Sequence, residues 1–271
     1  NAASRYVLTL ANPAQGIKYA GGGSGLVQVG SGANASYNGM VVSIQHRMSS
    51  NFTFLANYTW SHCMDVADAT GDLEGTPVEN PANIRMDRAN CGFDYRNIFN
   101  SAMVASSHFS FEGWKRQLLN NWQIAPLVRV ISGAPLNVSA GLENSRTGIG
   151  NDRPNLVDRT KVYTHKGITQ TNAGNRLYIN AAAFSQNAVG TYGNLGRNSF
   201  RGPNAFSLDA ALRRSFPLHD TFALNLRFEG FNVLNHPNFS NPSSSLNSST
   251  FGQITGSSAA RVFQAAAKIT F

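Results

Sequence analysis

From Met40 to Trp60 apolar side chains fall on every second position, and this period is the strongest constraint on what the chain can fold into. Met40, Val42 and Ile44 share one face against Ser43, Gln45 and Arg47; after Ser49, Ser50 and Asn51, Phe52, Phe54, Ala56, Tyr58 and Trp60 oppose Thr53, Asn57, Thr59 and Ser61. A side-chain period of two belongs to a β-strand, and two such runs around a polar turn predict a hairpin with one apolar and one polar face. The pattern returns with Trp122, Ile124, Val128 and Val130 against Gln123, Ala125, Leu127 and Arg129, and with Phe206, Leu208, Ala210 and Leu212 against Ser207, Asp209, Ala211 and Arg213. Beyond a turn at Pro217 to Asp220, Phe222, Leu224, Leu226 and Phe228 oppose Asn225, Arg227 and Glu229. At the end of the chain Phe263, Ala265, Ala267, Ile269 and Phe271 alternate with Gln264, Ala266, Lys268 and Thr270. A further strand is placed at Asn97 to His108 by its position between a long loop and a short connection, its own periodicity being blurred.

A soluble sandwich also alternates, so the period leaves open what each face touches. The connections discriminate better. Short ones (Ser49 to Asn51, Ser110 to Leu118, Pro217 to Asp220) alternate strictly with long ones (Cys63 to Cys91, Gly141 to Arg197, Pro237 to Ser258). Outer-membrane barrels have short periplasmic turns on one rim and long extracellular loops on the other. Arg47, Arg129, Asp209, Arg213, Arg227, Glu229 and Lys268 all fall on the polar side, while the opposite side is nearly free of charge through the middle of each strand. Tyr58, Trp60, Trp122, Phe206 and Phe271 lie toward strand ends on the apolar side, as in the aromatic girdles of a membrane barrel. The expected fold is all-β, an antiparallel transmembrane β-barrel segment of about seven or eight long strands with short periplasmic turns and long extracellular loops.

Composition agrees with a strand-rich chain. Charged residues make up 13% of the 271, and hydrophobic ones 42%; soluble domains usually carry about twice that share of charge. No run approaches the roughly 18 apolar residues of a transmembrane helix, so a membrane would be crossed by strands. The formal net charge of +8 comes from Arg and Lys scattered singly, which speaks against a nucleic-acid partner. The chain begins at Asn1 without an initiator Met, a basic leader or an apolar leader segment, and reads as a fragment or mature segment. Residues 1–35 are expected to hold a truncated strand (Arg5 to Leu10) followed by a Gly-rich extracellular loop or a flexible linker, and residues 36–271 the C-terminal strands of the barrel.

Catalytic signatures are missing: there is no G-x-S-x-G, H-E-x-x-H, Walker A or strand-bound G-x-G-x-x-G sequence, so no enzyme and no cofactor is expected. His62 beside Cys63, near Asp65 and Asp68, is the one group with metal-ligand character, but a disulfide at a strand-to-loop junction is the commoner arrangement and no metal is assigned. The acidic residues Asp65, Asp68, Asp72, Glu74 and Glu79 read as a solvated loop face. Cys63 ends one strand and Cys91 opens its antiparallel neighbour, so the two can bridge on the extracellular side and close the loop between them.

The sequence also resembles a known family. YNGMVVSIQHRMSSNFTFLANYTWSHCMD (Tyr37 to Asp65), DRANCGFDYRN (Asp87 to Asn97), NWQIAPLVRVISGAPLNV (Asn121 to Val138), GNLGRNSFRGPNAFSLDAALRRSFPL (Gly193 to Leu218), LRFEGFNVLNHPNF (Leu226 to Phe239) and RVFQAAAKITF (Arg261 to Phe271) are similar, in this order, to the barrel end of TonB-dependent receptors of the Oar-like kind. The resemblance implies a transporter in the bacterial outer membrane that takes up a bulky solute such as a carbohydrate, a peptide or a chelate. Its partners would be outer-membrane lipid, the TonB complex through an N-terminal plug region not seen in this sequence, and the barrel-assembly machinery through the closing Phe271. Arg129, Asp209, Arg213, Arg227, Glu229 and Lys268 would line the lumen, either contacting solute or docking a plug and pairing across strands. Two other readings remain at this point: a non-transporting surface or adhesive barrel, and a soluble β-sandwich that binds carbohydrate.

Overall fold

A computed structural model describes residues 32–49, 51–67, 78–80, 83–147, 152–164, 169–170, 174, 176–219 and 222–271. The expected N-terminal strand at Arg5 to Leu10, most of the Gly-rich segment after it, and Asp68, Asp72 and Glu74 lie outside these residues. Seven long strands form one sheet: β1 (Ala35–Ser49), β2 (Phe52–Asp65), β3 (Asn97–Ser106), β4 (Trp122–Ile131), β5 (Ala205–His219), β6 (Phe222–Phe231) and β7 (Val262–Thr270). Each strand pairs antiparallel with the next in chain order, and the pair Ala89–Asn90 adds a short eighth strand beside the end of β2. There is no second sheet packed on the first among the described residues, which removes the sandwich reading.

Pairing carries the alternation across the whole sheet. Met40 faces Trp60, Val42 faces Tyr58 and Ile44 faces Ala56; Tyr58 faces Phe99, which faces Val130; Val130 faces Phe206, and Ile124 faces Leu212. Leu212 then faces Phe228, and Phe228 faces Ala265. Register is therefore set so that one face is continuously apolar, since a one-residue slip in any pair would turn that strand's charges into it. Met40, Ile44, Ile124, Leu212, Phe228, Phe263 and Ile269 are all exposed on it. No helix among the described residues is long and apolar enough to cross a membrane; the strands, 9 to 15 residues long, have the length that a tilted membrane strand needs.

β5 runs past its expected end, and β4 accommodates a proline within its expected bounds. β5 continues to His219 through an irregularity after Pro217 and pairs Pro217 with Ala223, because a proline near a strand end can take a position that needs no ladder donor. β4 contains Pro126: its ladder with β3 runs from Ile98↔Ile131 to Ala102↔Leu127 and resumes at Ala105↔Ile124, leaving the missing N–H in the gap.

The connection between β3 and β4 is longer than a turn. Residues 113–119 form α1 (Gly113–Leu119), a single short helix of good helix formers. It ends at Asn120, whose side chain closes the segment by accepting from the Phe109 N–H at 2.7 Å and donating to the Phe109 carbonyl at 2.9 Å. Asn121 then takes a left-handed φ of 64° that turns the chain into β4.

All three long connections leave the rim opposite α1, and they fold on one another. Leu136, Val138, Val162, Ile179, Ala183, Phe184, Leu195, Phe200 and Phe251 form a core of their own there. Phe184 meets Phe200 and Phe251 edge to face, with centroids 5.7 Å apart in both cases. The two later loops are also joined by backbone pairing, Gln253–Ile254 against Arg176–Leu177. Gly252 allows this approach: its φ is +73°, and a Cβ there would stand 1.9 Å from the Ile179 carbonyl oxygen.

Candidate functional site

The polar face of the sheet and the loop cap above it are continuous. At mid-height Ser43, Asn57, Asn100, Arg129 and Ser207 form one cross-strand row, with the Ser43 hydroxyl donating to Asn57 Oδ1 at 2.7 Å. Arg129 therefore stands between two neutral polar neighbours, Asn100 and Ser207.

The other expected lumen residues gather on β5, β6 and β7. Arg213 lies directly opposite Arg227, an arrangement that like charges disfavour. Two neighbours relieve it: Glu229 forms an ion pair with Arg227, and Arg213 donates to Asn225 Oδ1 at 3.3 Å. Gln264 in turn donates to Glu229, and Lys268 stands across from Asn225. Asp209 is set apart from this group. Its Oδ1 accepts from the Asn232 N–H at 2.8 Å, so it holds the start of the loop that leaves β6. Toward the short-turn rim, Ser106, Gln123, Arg213 and Ser215 line a polar hollow of about 270 Å³.

On the long-loop rim, alternate residues at the end of β2 hold the cap. The Ser61 hydroxyl donates to the Tyr95 carbonyl at 3.1 Å, Cys63 is disulfide-bonded to Cys91 with Cα atoms 5.4 Å apart, and Asp65 is ion-paired with Arg197. Because Ser61, Cys63 and Asp65 continue the polar register of β2, the cap is anchored on the polar side of the sheet. Cys91 lies ahead of β3, next to the short strand Ala89–Asn90, and its N–H donates to the Cys63 carbonyl at 3.1 Å.

Three ion clusters, two of them buried and the third half-buried, tie the loops together. Arg153 pairs with Glu79 and, at 2.5 Å, with Asp87. Arg197 pairs with Asp65 and donates to the Asp87 carbonyl at 3.2 Å. Asp94 receives Arg96 at 3.1 Å, Arg201, and the Cys63 N–H at 2.8 Å. Asn90 and Asn198 add a reciprocal pair of side-chain to carbonyl hydrogen bonds, at 3.1 and 2.7 Å. Burial pushes the Asp94 carboxyl upward, but the Cys63 N–H and the guanidiniums of Arg201 and Arg96 outweigh it and hold the pKa below the ordinary value. For Glu79 burial wins, and its pKa is raised despite the Arg153 N–H and charge.

Asp65 and Glu79 therefore depart from the solvated acidic face expected of them; both are buried and paired with arginine, because an unpaired carboxylate could not be kept inside the cap. The expected metal-like group is likewise occupied: Cys63 is in the disulfide, and His62 Nδ1 lies 2.8 Å from Arg96. No group of three or more potential ligands occurs among the described residues. Phe271 follows β7 directly at the short-turn rim, almost fully exposed, with its ring 6.3 Å from that of Phe222.

One feature of the apolar face escaped the sequence pattern. Arg214 shares the register of Leu212 and lies opposite Trp122 and Leu226. Its guanidinium stacks over the rings of Trp122 and Phe216, at 4.8 and 4.1 Å. Arg214 next to Arg213 interrupts the apolar run between Leu212 and Phe216 with a cation, which is the one available signal.

Comparison with known proteins agrees with this geometry. The family model described as Outer membrane beta barrel domain matches residues 1–264. No curated protein and no solved structure matches the chain. With a continuous antiparallel sheet, one uninterrupted apolar face and that match over nearly its whole length, the chain belongs to the outer membrane beta barrel domain family.

Proposed function

We propose that the chain is a wall segment of a TonB-dependent receptor of the Oar-like kind, which takes up a bulky solute such as a carbohydrate, a peptide or a chelate without transforming it. The observation that carries this reading is the polar face under a cross-tied cap. A charged wall of Arg129, Arg213, Arg227, Glu229 and Lys268 suits plug docking or solute passage, and the ion-paired loops supply a preorganised surface at the mouth. The sheet order leaves β1 and β7 with one unpaired edge each among the described residues. Lipid does not tolerate open edges, so closure takes further strands.

Energy coupling would come through an N-terminal region outside the strands described. The test is binding of the full-length receptor, in detergent, to the purified periplasmic domain of TonB. Saturable binding is expected. Its absence would favour the second reading, a display barrel, to which the rigidity of the buried ion clusters also lends itself.

Phe271 is proposed as the contact for the barrel-assembly machinery, since it is exposed at the periplasmic rim on the last strand. Deleting it from the full-length protein should lower the amount assembled in the outer membrane. An unchanged amount would contradict the assignment.

A further inference from the structure

The lipid-facing side carries a charge toward the periplasmic rim. Arg214 is the one permanently charged residue on that face of the described strands, and it is buried, 8% exposed. Its Nη2 donates to the Gln117 carbonyl of α1, and Trp122 Nε1 donates to the Leu118 carbonyl at 2.9 Å. These two bonds hold α1 against the lipid-facing side. Arg214 Nε is shielded and has no hydrogen-bond partner among the described residues. A buried cation with no counter-charge beside it among the described residues favours an anion in the adjoining space.

The space beside it can hold one. A pocket of about 880 Å³ lies between α1 and β5, lined among others by His108, Trp114, Arg116, Arg214, Phe216 and Leu218. Arginines from both elements reach it, and no Asp or Glu lines it among the described residues. Around it Trp114, Leu118 and Leu218 are exposed, by 70%, 52% and 60%. Aromatic and basic residues mixed in this way belong at the headgroup level of a bilayer, where the rings sit among acyl ends and the cations meet phosphate. The pocket is also complete within this chain, because β4, β5 and β6 each have both neighbours in the sheet.

We propose that this pocket is a binding site for a glycerophospholipid of the periplasmic leaflet. Its phosphodiester would accept from the guanidiniums of Arg214 and Arg116, which both line the pocket, and its acyl chains would run up the apolar face past Leu212. The ligand is a membrane lipid and not a free anion, because the apolar lining continues directly into the lipid-facing surface.

The experiment uses the full-length protein extracted from outer membranes in mild detergent, with retained phosphatidylglycerol counted by native mass spectrometry after partial delipidation. Arg214→Gln and Arg116→Gln should each lower retention about fivefold, the effect of removing one cation near an anionic headgroup, while Lys161→Gln, which removes a cation from the loop cap, should leave it unchanged. Arg116 is part of exposed α1, so its variant decides the matter if Arg214→Gln fails to assemble. Equal retention in Arg116→Gln and the parent protein would overturn the proposal. So would release of the lipid by millimolar sn-glycerol 3-phosphate, which would show a site for a soluble anion.

Discussion

Asp94 is the residue on which most of the cap converges. It takes hydrogen bonds from Cys63 on β2, from Arg96 leading into β3, and from Arg201 leading into β5, so a single carboxylate joins three parts of the rim. Its lowered pKa fixes the sign of the pH dependence: the stabilisation is present above the ordinary value of 3.8 and is lost as pH falls through the folded-state value. Glu79 has the opposite sign, its raised pKa favouring the protonated cap. Hydrogen exchange of residues 83–96, corrected for the intrinsic rate, should therefore quicken as the protein is acidified below about pH 4. Asp94→Asn should abolish that acid-induced opening; the same acid response in both proteins would mean that another group controls the cap. None of these pairings was legible in the sequence. Arg153 and Asp87 lie 66 positions apart, and Arg197 and Asp65 132 apart, and no local period links residues at such separations. Glu79 and Asp65 looked like loop acids because a sequence shows charge and not the arginine folded against it.

Among the elements, the long strands were readable and the connections were not. The alternation of β2, β4, β5, β6 and β7 survives in the register residue by residue, since each strand has a single apolar face to satisfy. α1 was missed because its 7 residues make about two turns, too few for a 3.6-residue period to show against Trp114 and Leu118. The loop core was missed because Val138, Val162, Ile179 and Phe251 come from separate irregular segments. The Cys63–Cys91 bridge closes a loop with a sequence separation of 28, for which the chain-entropy model gives about 3 to 4 kcal/mol. The Cys63→Ser, Cys91→Ser protein should still insert, because the bridge lies at the long-loop end of β2 and leaves the strand pairing below it intact. Its first long loop should be cut by external protease much faster than that of the parent, and equal cleavage rates would show that the ion clusters alone hold the loop.

Which face of the sheet meets lipid decides how the whole molecule sits in the membrane. The sheet is one layer, so the two faces of β5 sit in different solvents only a side chain apart. Ala211 and Leu212 are neighbours that make the comparison clean: Leu212 lies between Ile124 and Phe228 on the apolar face, and Ala211 lies between Ala125 and Glu229 on the polar one. An arginine at position 211 would meet the Glu229 carboxylate, whereas one at position 212 would enter hydrocarbon, where the cost rises toward about 2 to 4 kcal/mol at the bilayer midplane. The most direct measurement is the amount of each variant, Leu212→Arg and Ala211→Arg, recovered folded from the outer membrane relative to the parent. The structure predicts a large loss for Leu212→Arg and near-parental recovery for Ala211→Arg; equal recovery of the two, or the reverse order, would contradict the orientation of the sheet.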